Sequence, residues 1–400
     1  IKPGVKTKVL MLSATPVNNR FYDLRNQLAL AYEGDPSEFN EKLNIKSDID
    51  TIFRQAQKVY NAWCKLPEKE RTTANLLSQL DFDFFEVLDS VTIARSRKHI
   101  QTYYDVADIG NFPKRNKPIS LRPKLTTRPN AINYKEVYEL LSKLHLTIYT
   151  PTAFIQPSKL QKYLSEDETE KFRSGRELGI QRLMSINLLK RMESSVHSFL
   201  LTVKRIYDYL YDTSHAIDDF IATGANSLNE MPDLSGEADE FDYDDQNTDF
   251  FNVGKKVKID LRDMDYISWK REMDEDIDNL QLLILMIEDI TPEYDFKLNE
   301  LIRIIREKAA APINPGNKKI LIFTAFSDTA EYLYENISGM ALKELGLHTA
   351  LVTGSVDGKT TIPKFKPDMN HVLACFSPKS KDRDVLYPKD KTDIDILIAT

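Results

Sequence analysis

Between Lys319 and Thr400 three short apolar runs are separated by polar and helix-patterned stretches, and few folds accept that alternation. Lys319-Ile320-Leu321-Ile322-Phe323-Thr324 is a strand-length run with polar ends. Ala325 to Asn336 predicts a helix, capped by Ser327 or Asp328, that turns Ala330, Leu333 and Tyr334 inward. Thr349 to Val352 is a second strand, closed by Thr353-Gly354-Ser355, and Ile394 to Thr400 contains a third. Strands joined through helices pair in parallel, and parallel sheets are covered on both faces, so their strands are apolar throughout rather than alternating. The expected fold class is α/β.

A comparable pattern opens the chain. Val9 to Leu12 predicts a buried strand that Ser13-Ala14-Thr15-Pro16 ends abruptly, placing two hydroxyls at the carboxyl end where open α/β sheets hold ligands. Asn19 stands in the same turn, and Phe21 to Tyr32 predicts a helix with Leu24, Leu28 and Ala31 on one stripe. Residues 48 to 90 read as helices, with Ile49, Ile52, Phe53 and Ala56 on one inward face and Leu76, Leu77 and Leu80 on another. Val91 to Ile93 reads as a strand running into the cations Arg95, Arg97 and Lys98.

The middle of the chain is helical by pattern. Asn111 to Pro129, rich in Pro and basic residues, and Thr150 to Ser158 read as connectors around a helix from Tyr134 to Ile148. Leu189, Met192, Val196, Phe199, Val203, Ile206 and Leu210 recur at three- and four-residue steps, predicting one long amphipathic helix. Arg182, Lys190, Arg191, Lys204 and Arg205 on its flanks are of the type that meets phosphates. Asp233 to Phe250 lacks periodicity and reads as a disordered loop. Trp269 to Ile290 is again helical, and Thr291-Pro292 reads as a helix start. The expected organisation is 1–112, the end of a first sheet-bearing lobe; 113–165, a connector; 166–292, a helical insertion with an acidic loop near 233–250; and 293–400, the start of a second lobe.

Charge and cysteine content narrow the partners. The net charge of −7 is concentrated in Asp233 to Phe250, which carries eight acids and no Lys or Arg, so the remainder is close to neutral. Any nucleic-acid footprint is therefore expected to be local. Cys64 and Cys375 stand far apart without ligand spacing, so neither a disulfide framework nor a zinc site is expected, and both read as buried thiols. No apolar run approaches the ~20 residues of a membrane span and Ile1 opens no signal peptide, so a cytoplasmic protein with no membrane partner is expected.

Several segments resemble, in order, the motifs of Swi/Snf-type superfamily 2 helicases and translocases. Ser13-Ala14-Thr15-Pro16 with Asn19 resembles motif III, and Val91 to Ile100 resembles the segment closing the first motor lobe, with Ala94 where that family has its first Arg. Lys190-Arg191-Met192-Glu193-Ser194-Ser195 resembles the Lys-Arg-x-Glu-Ser-Ser box of bacterial relatives. Ile320 to Leu333 is similar to motif IV and its helix, Val352 to Ser355 to the next strand end, and Asp395 to Thr400 to the front of motif V. The resemblance implies two RecA-like parallel-sheet lobes joined by a mainly helical insertion, hydrolysing ATP with Mg²⁺ and moving on duplex DNA through its backbone phosphates. It implies that Ser13 and Thr15 couple the nucleotide site to the track, and that Thr324, Ser327, Gly354, Ser355 and Thr400 face the track or the cleft.

No Gly-x-Gly-Lys-Thr loop, no Asp-Glu-x-His and no arginine-bearing motif VI occurs among the 400 residues. The groups that hold phosphates and Mg²⁺ are thus expected in other parts of the same polypeptide, with no turnover by this segment alone. A non-catalytic scaffold of helical and α/β parts is the competing class. An RNA helicase or a restriction-type translocase is the competing motor.

Overall fold

The computed structural model describes residues 10–13, 20–31, 45–67, 69–93, 96–104, 112, 116–163, 170–224, 259–354 and 358–400. The chain divides into two units, 1–119 and 120–400. Ala14, Thr15, Pro16, Asn19, Arg95, Ser355 and the acidic stretch 233–250 lie outside the described residues.

The first unit is built on helices α1 (Phe21–Ala31), α2 (Ile49–Cys64), α3 (Thr73–Gln79), α4 (Phe82–Val91) and α5 (Arg97–Tyr103). Its core joins Leu24 and Leu28 of α1 to Ile49, Ile52, Phe53 and Ala56 of α2 and to Phe84 and Val87 of α4, the inward positions expected for α1 and α2. Four expectations fail here. Leu10 to Ser13 has no regular structure, and Leu10 and Leu12 are 82% and 89% exposed, so the described part of the opening run is not a buried strand. A parallel strand persists only through ladder bonds to its neighbours, and no strand occurs among the described residues of this unit. Val91 ends a helix rather than opening a strand, because the apolar run Phe82 to Val91 has helical periodicity that the β-branched reading overlooked. Leu77 and Cys64 are exposed, since α3 is short and buries none of its side chains and Cys64 is the last residue of α2.

The second unit has a helical layer and a sheet. Helices α6 (Tyr134–Leu141), α7 (Glu170–Ser194), α8 (Val196–Thr223) and α9 (Tyr266–Glu288) share a core containing Leu188, Phe199, Val203, Leu210, Trp269, Met273 and Leu280. The apolar stripe expected from Leu189 to Leu210 is present, but on two helices. Ser195 is extended (φ −158°, ψ 151°) and its hydroxyl accepts from Ser198 N at 3.0 Å, capping α8 where one continuous helix was expected. Beside this core the buried carboxylate of Asp276 accepts from the backbone N–H groups of His145 (2.7 Å) and Leu146 (2.6 Å). Trp269 Nε1 donates to the Thr147 carbonyl at 3.2 Å, so residues 145–147 are fixed to α9 by two of its side chains.

Burial raises the Asp276 carboxyl above its ordinary value of 3.8, an effect that outweighs the two N–H donors. A folded state that holds its proton longer is favoured below the unfolded value, and that contribution is lost as pH rises through the folded one. The stability of the wild type relative to Asp276→Asn is therefore expected to fall from pH 4 toward neutrality. Urea melts of both proteins across that range give the difference directly.

Helix α10 (Phe296–Ala310) leads into the sheet of β1 (Ile320–Phe323), β2 (Thr349–Val352), β3 (Lys359–Thr360) and β4 (Ile396–Ala399). Its order is β1-β4-β2-β3; β4 pairs in parallel with β1 and β2, and β3 is antiparallel to β2. Asp295 caps α10 through Leu298 N at 3.0 Å, so the helix starts four residues after the Thr291-Pro292 signal. Helix α11 (Ser327–Leu345) connects β1 to β2 and packs with α10 on one sheet face, against Leu351, Ile396 and Ile398. Gly346 ends α11 with φ +67°, a conformation that favours glycine. On the other face α12 (Met369–Phe376) brings Val372 and Cys375 onto Ala350 and Leu397, and the short α13 (Arg383–Leu386) follows it. The parallel β1, β4 and β2 fall where the sequence predicts strands. Among the described residues no helix is long and apolar enough to cross a membrane.

Candidate functional site

Register decides which ends of the strands meet. Phe323 and Val352 both pair with Ala399, so the chain leaves all three parallel strands at one edge, carrying Thr324, Thr353 and Thr400 there. Neighbouring strands lie about 4.8 Å apart, so these residues form one short row. Thr324 N donates to the Ala399 carbonyl at 3.0 Å, prolonging the ladder to its last residue. β4 occupies the position between β1 and β2 that the intervening α11 skips, the kind of arrangement at which open α/β sheets leave a crevice. Thr400 and Gly354 are exposed, Ser327 begins α11, and the Thr324 hydroxyl donates to the Phe326 carbonyl at 2.9 Å. The sequence-predicted residues of this lobe that are described thus converge.

The Lys190-to-Ser195 box meets the same place from the helical layer. The Arg191 side chain is 3% exposed; its Nη1 lies 2.9 Å from Asp328 Oδ2 and donates to Ser198 Oγ at 3.2 Å. The guanidinium carbon stands 4.6 Å from the centre of the Phe326 ring. Thr329 Oγ1 is 2.8 Å from Ser194 Oγ and 2.9 Å from Ser195 Oγ. From α10, Lys297 Nζ donates to the Glu193 carbonyl at 2.5 Å and the Ser194 carbonyl at 2.9 Å, satisfying acceptors at the end of α7. Burial holds the Lys297 ammonium below its ordinary value, opposed by Glu193 and Asp295. The Tyr332 hydroxyl is pushed well above its usual value, first by burial and then by Asp295, to which it donates at 3.0 Å. The break between α7 and α8 is thereby fixed to the first turn of α11.

Arg191 therefore differs from its expected place. Its charge faces Asp328 inside the protein and not a phosphate in solvent, because it shares a face of α7 with the buried Met184 and Leu188. Lys190 and Arg182 are exposed on α7. In the first unit Arg97 and Lys98 are exposed in the first turn of α5, with Arg97 5.6 Å from the Phe112 ring centre, and Ser13 is exposed. Asp328 was expected only as a candidate cap of α11, which instead has Phe326 at its N-cap and no side-chain cap bond, and Thr329, Lys297 and Tyr332 had no place in the sequence reading. Compared with known proteins, the chain matches no family model, no curated protein and no solved structure, so the geometry of this junction and the order of its motifs carry the functional argument.

Proposed function

We propose that this chain is the coupling part of an ATP-driven nucleic-acid translocase, linking lobe closure to movement along duplex DNA. The observation that supports it best is the convergence of Thr324, Thr400 and Ser327, each at a motif-like position, on one sheet edge whose neighbouring helix is gripped by the Lys-Arg-x-Glu-Ser-Ser box. A bracing helix clamped to a ligand-facing edge transmits displacement because packed interfaces have discrete arrangements. In this proposal ATP and Mg²⁺ are held by segments carrying the phosphate and acidic motifs, which the 400 residues lack. Ser13 and Thr15 act as the coupling hydroxyls of the first lobe.

The 400-residue chain is expected to show no ATP turnover. A polypeptide that also carries the missing motifs is expected to hydrolyse ATP faster with duplex DNA than with single-stranded DNA or RNA. Turnover by the 400-residue chain itself, or a longer polypeptide indifferent to nucleic acid, would refute the proposal. One observation favours the scaffold alternative: the most conspicuous cation of the box is used internally. Salt-insensitive binding of a protein partner with no response to DNA would support that alternative.

A further inference from the structure

Beside the sheet edge lies a cleft of ≈ 560 Å³ walled by α7, α10, β1 and the start of α11. Most of its wall is apolar, including Leu183, Ile186, Leu301, Ile304 and Phe323. A cavity of this size with few polar groups is what small-molecule sites look like. Size alone does not select a ligand; the polar groups do.

Most of those groups are already engaged. Asp295 accepts from Leu298 N and Tyr332 Oη, Lys297 donates to two carbonyls, and Glu300 is paired with Arg303 at 2.6 Å. Thr329 is held by Ser194 and Ser195, and Thr324 by the Phe326 carbonyl. Lys190 and Glu193, which also line the cleft, are exposed. Asn187 is the buried exception. It lines the cleft, is 5% exposed, and its amide has no hydrogen-bond partner among the described residues. Unpaired on the cleft wall, the amide offers an N–H donor beside a carbonyl acceptor. The same pair of directions is matched by another carboxamide or a lactam, and not by a carboxylate, which has two acceptors and a charge to desolvate.

We infer that the cleft is a binding site for an uncharged aromatic molecule bearing a carboxamide or lactam edge, oriented by Asn187. The site is separate from the nucleotide chemistry proposed above, and its test reads binding and not ATP turnover. Because its walls come from both the helical layer and the sheet, an occupant would brace the junction that Arg191 and Asp328 close.

Benzamide is the probe, with benzoate and acetophenone as controls that remove the donor and, for benzoate, add a charge. Saturation-transfer NMR on the full 400-residue chain is expected to show benzamide binding with Kd on the order of a few millimolar, as befits so small a ligand. Benzoate and acetophenone are expected to bind at least about ten-fold more weakly, since a site shaped for a donor–acceptor pair rejects analogues lacking half of it. Asn187→Leu should abolish the preference for benzamide. Ile186→Trp, at a half-exposed wall position, should block all three by filling the cleft, and it carries the test should the Asn187 variant fail to fold. Absence of benzamide binding, equal binding of the three probes, or binding unchanged in a folded variant would overturn the inference.

Discussion

Arg191→Ala is expected to destabilise the second unit by about 3 kcal/mol, at the lower end of the range for removing one partner of a buried ion pair. Arg191 is 3% and Asp328 13% exposed on their side chains, so truncation strands a carboxylate that water reaches poorly. Two effects bear on the magnitude. Asp328 lies in the first turn of α11, whose N–H groups favour a negative charge and soften the loss. Against that, the variant also gives up the Phe326 contact and the bond to Ser198. A urea midpoint lowered by roughly 1 M is the expected reading, given the slopes usual for a unit of this size. Arg191→Met with Asp328→Leu should recover much of the stability, because no buried charge is left alone. Lys190→Gln, one residue away and exposed, should change it by less than about 0.5 kcal/mol. A destabilisation equal in the two single variants would mean that burial of Arg191 is unimportant.

The junction explains what the sequence could and could not disclose. Parallel strands at Thr349 and Ile396 were legible because burial on both faces writes continuous apolar runs, the strand at Ile320 because its run is apolar although Leu321 and Phe323 are exposed, and the helix between Ile320 and Thr349 because its stripe is regular. The break at Ser195 was not legible, since Met192, Val196 and Phe199 keep helical spacing on both sides of it and only the extended backbone of one residue interrupts them. Arg191 carried a usable signal that a composition-based reading passes over. It is spaced three residues from Leu188 and seven from Met184, in phase with the buried face, and a cation in that phase requires an internal partner. That the partner is Asp328, 137 positions further along the chain, could not be read locally. Leu10 to Leu12 failed for the opposite reason: an apolar run states a preference for burial, while a strand also needs neighbours. Asn187 lacked any local signal, because an amide on a helix is ordinary until its surroundings close over it.

Once Arg191 is assigned to the interior and Lys204 is paired with Glu288 at 2.5 Å, the electrostatic case for nucleic acid in the second unit rests on Arg205 of α8 and, on α7, on Arg182 and Lys190. Both are exposed on α7, eight residues or about 12 Å apart along its axis, a separation that lets them reach different phosphates of one backbone. Each phosphate neutralised on duplex DNA contributes about 0.9 to the slope of log affinity against log salt. Arg182→Gln with Lys190→Gln should therefore lower the magnitude of that slope by about 1.8 and weaken duplex binding roughly 30-fold at 0.15 M salt. The loss should be the same for unrelated sequences, because backbone contacts carry no base information. Arg191→Ala is the informative comparison, since a residue facing Asp328 should leave the slope unchanged however much stability it removes. A slope that falls in Arg191→Ala and not in the double variant would return the guanidinium to the track and reverse the assignment. A slope insensitive to both would leave α7 outside any DNA path and move the argument to Arg205 on α8 and to Arg97 and Lys98, which are exposed at the start of α5.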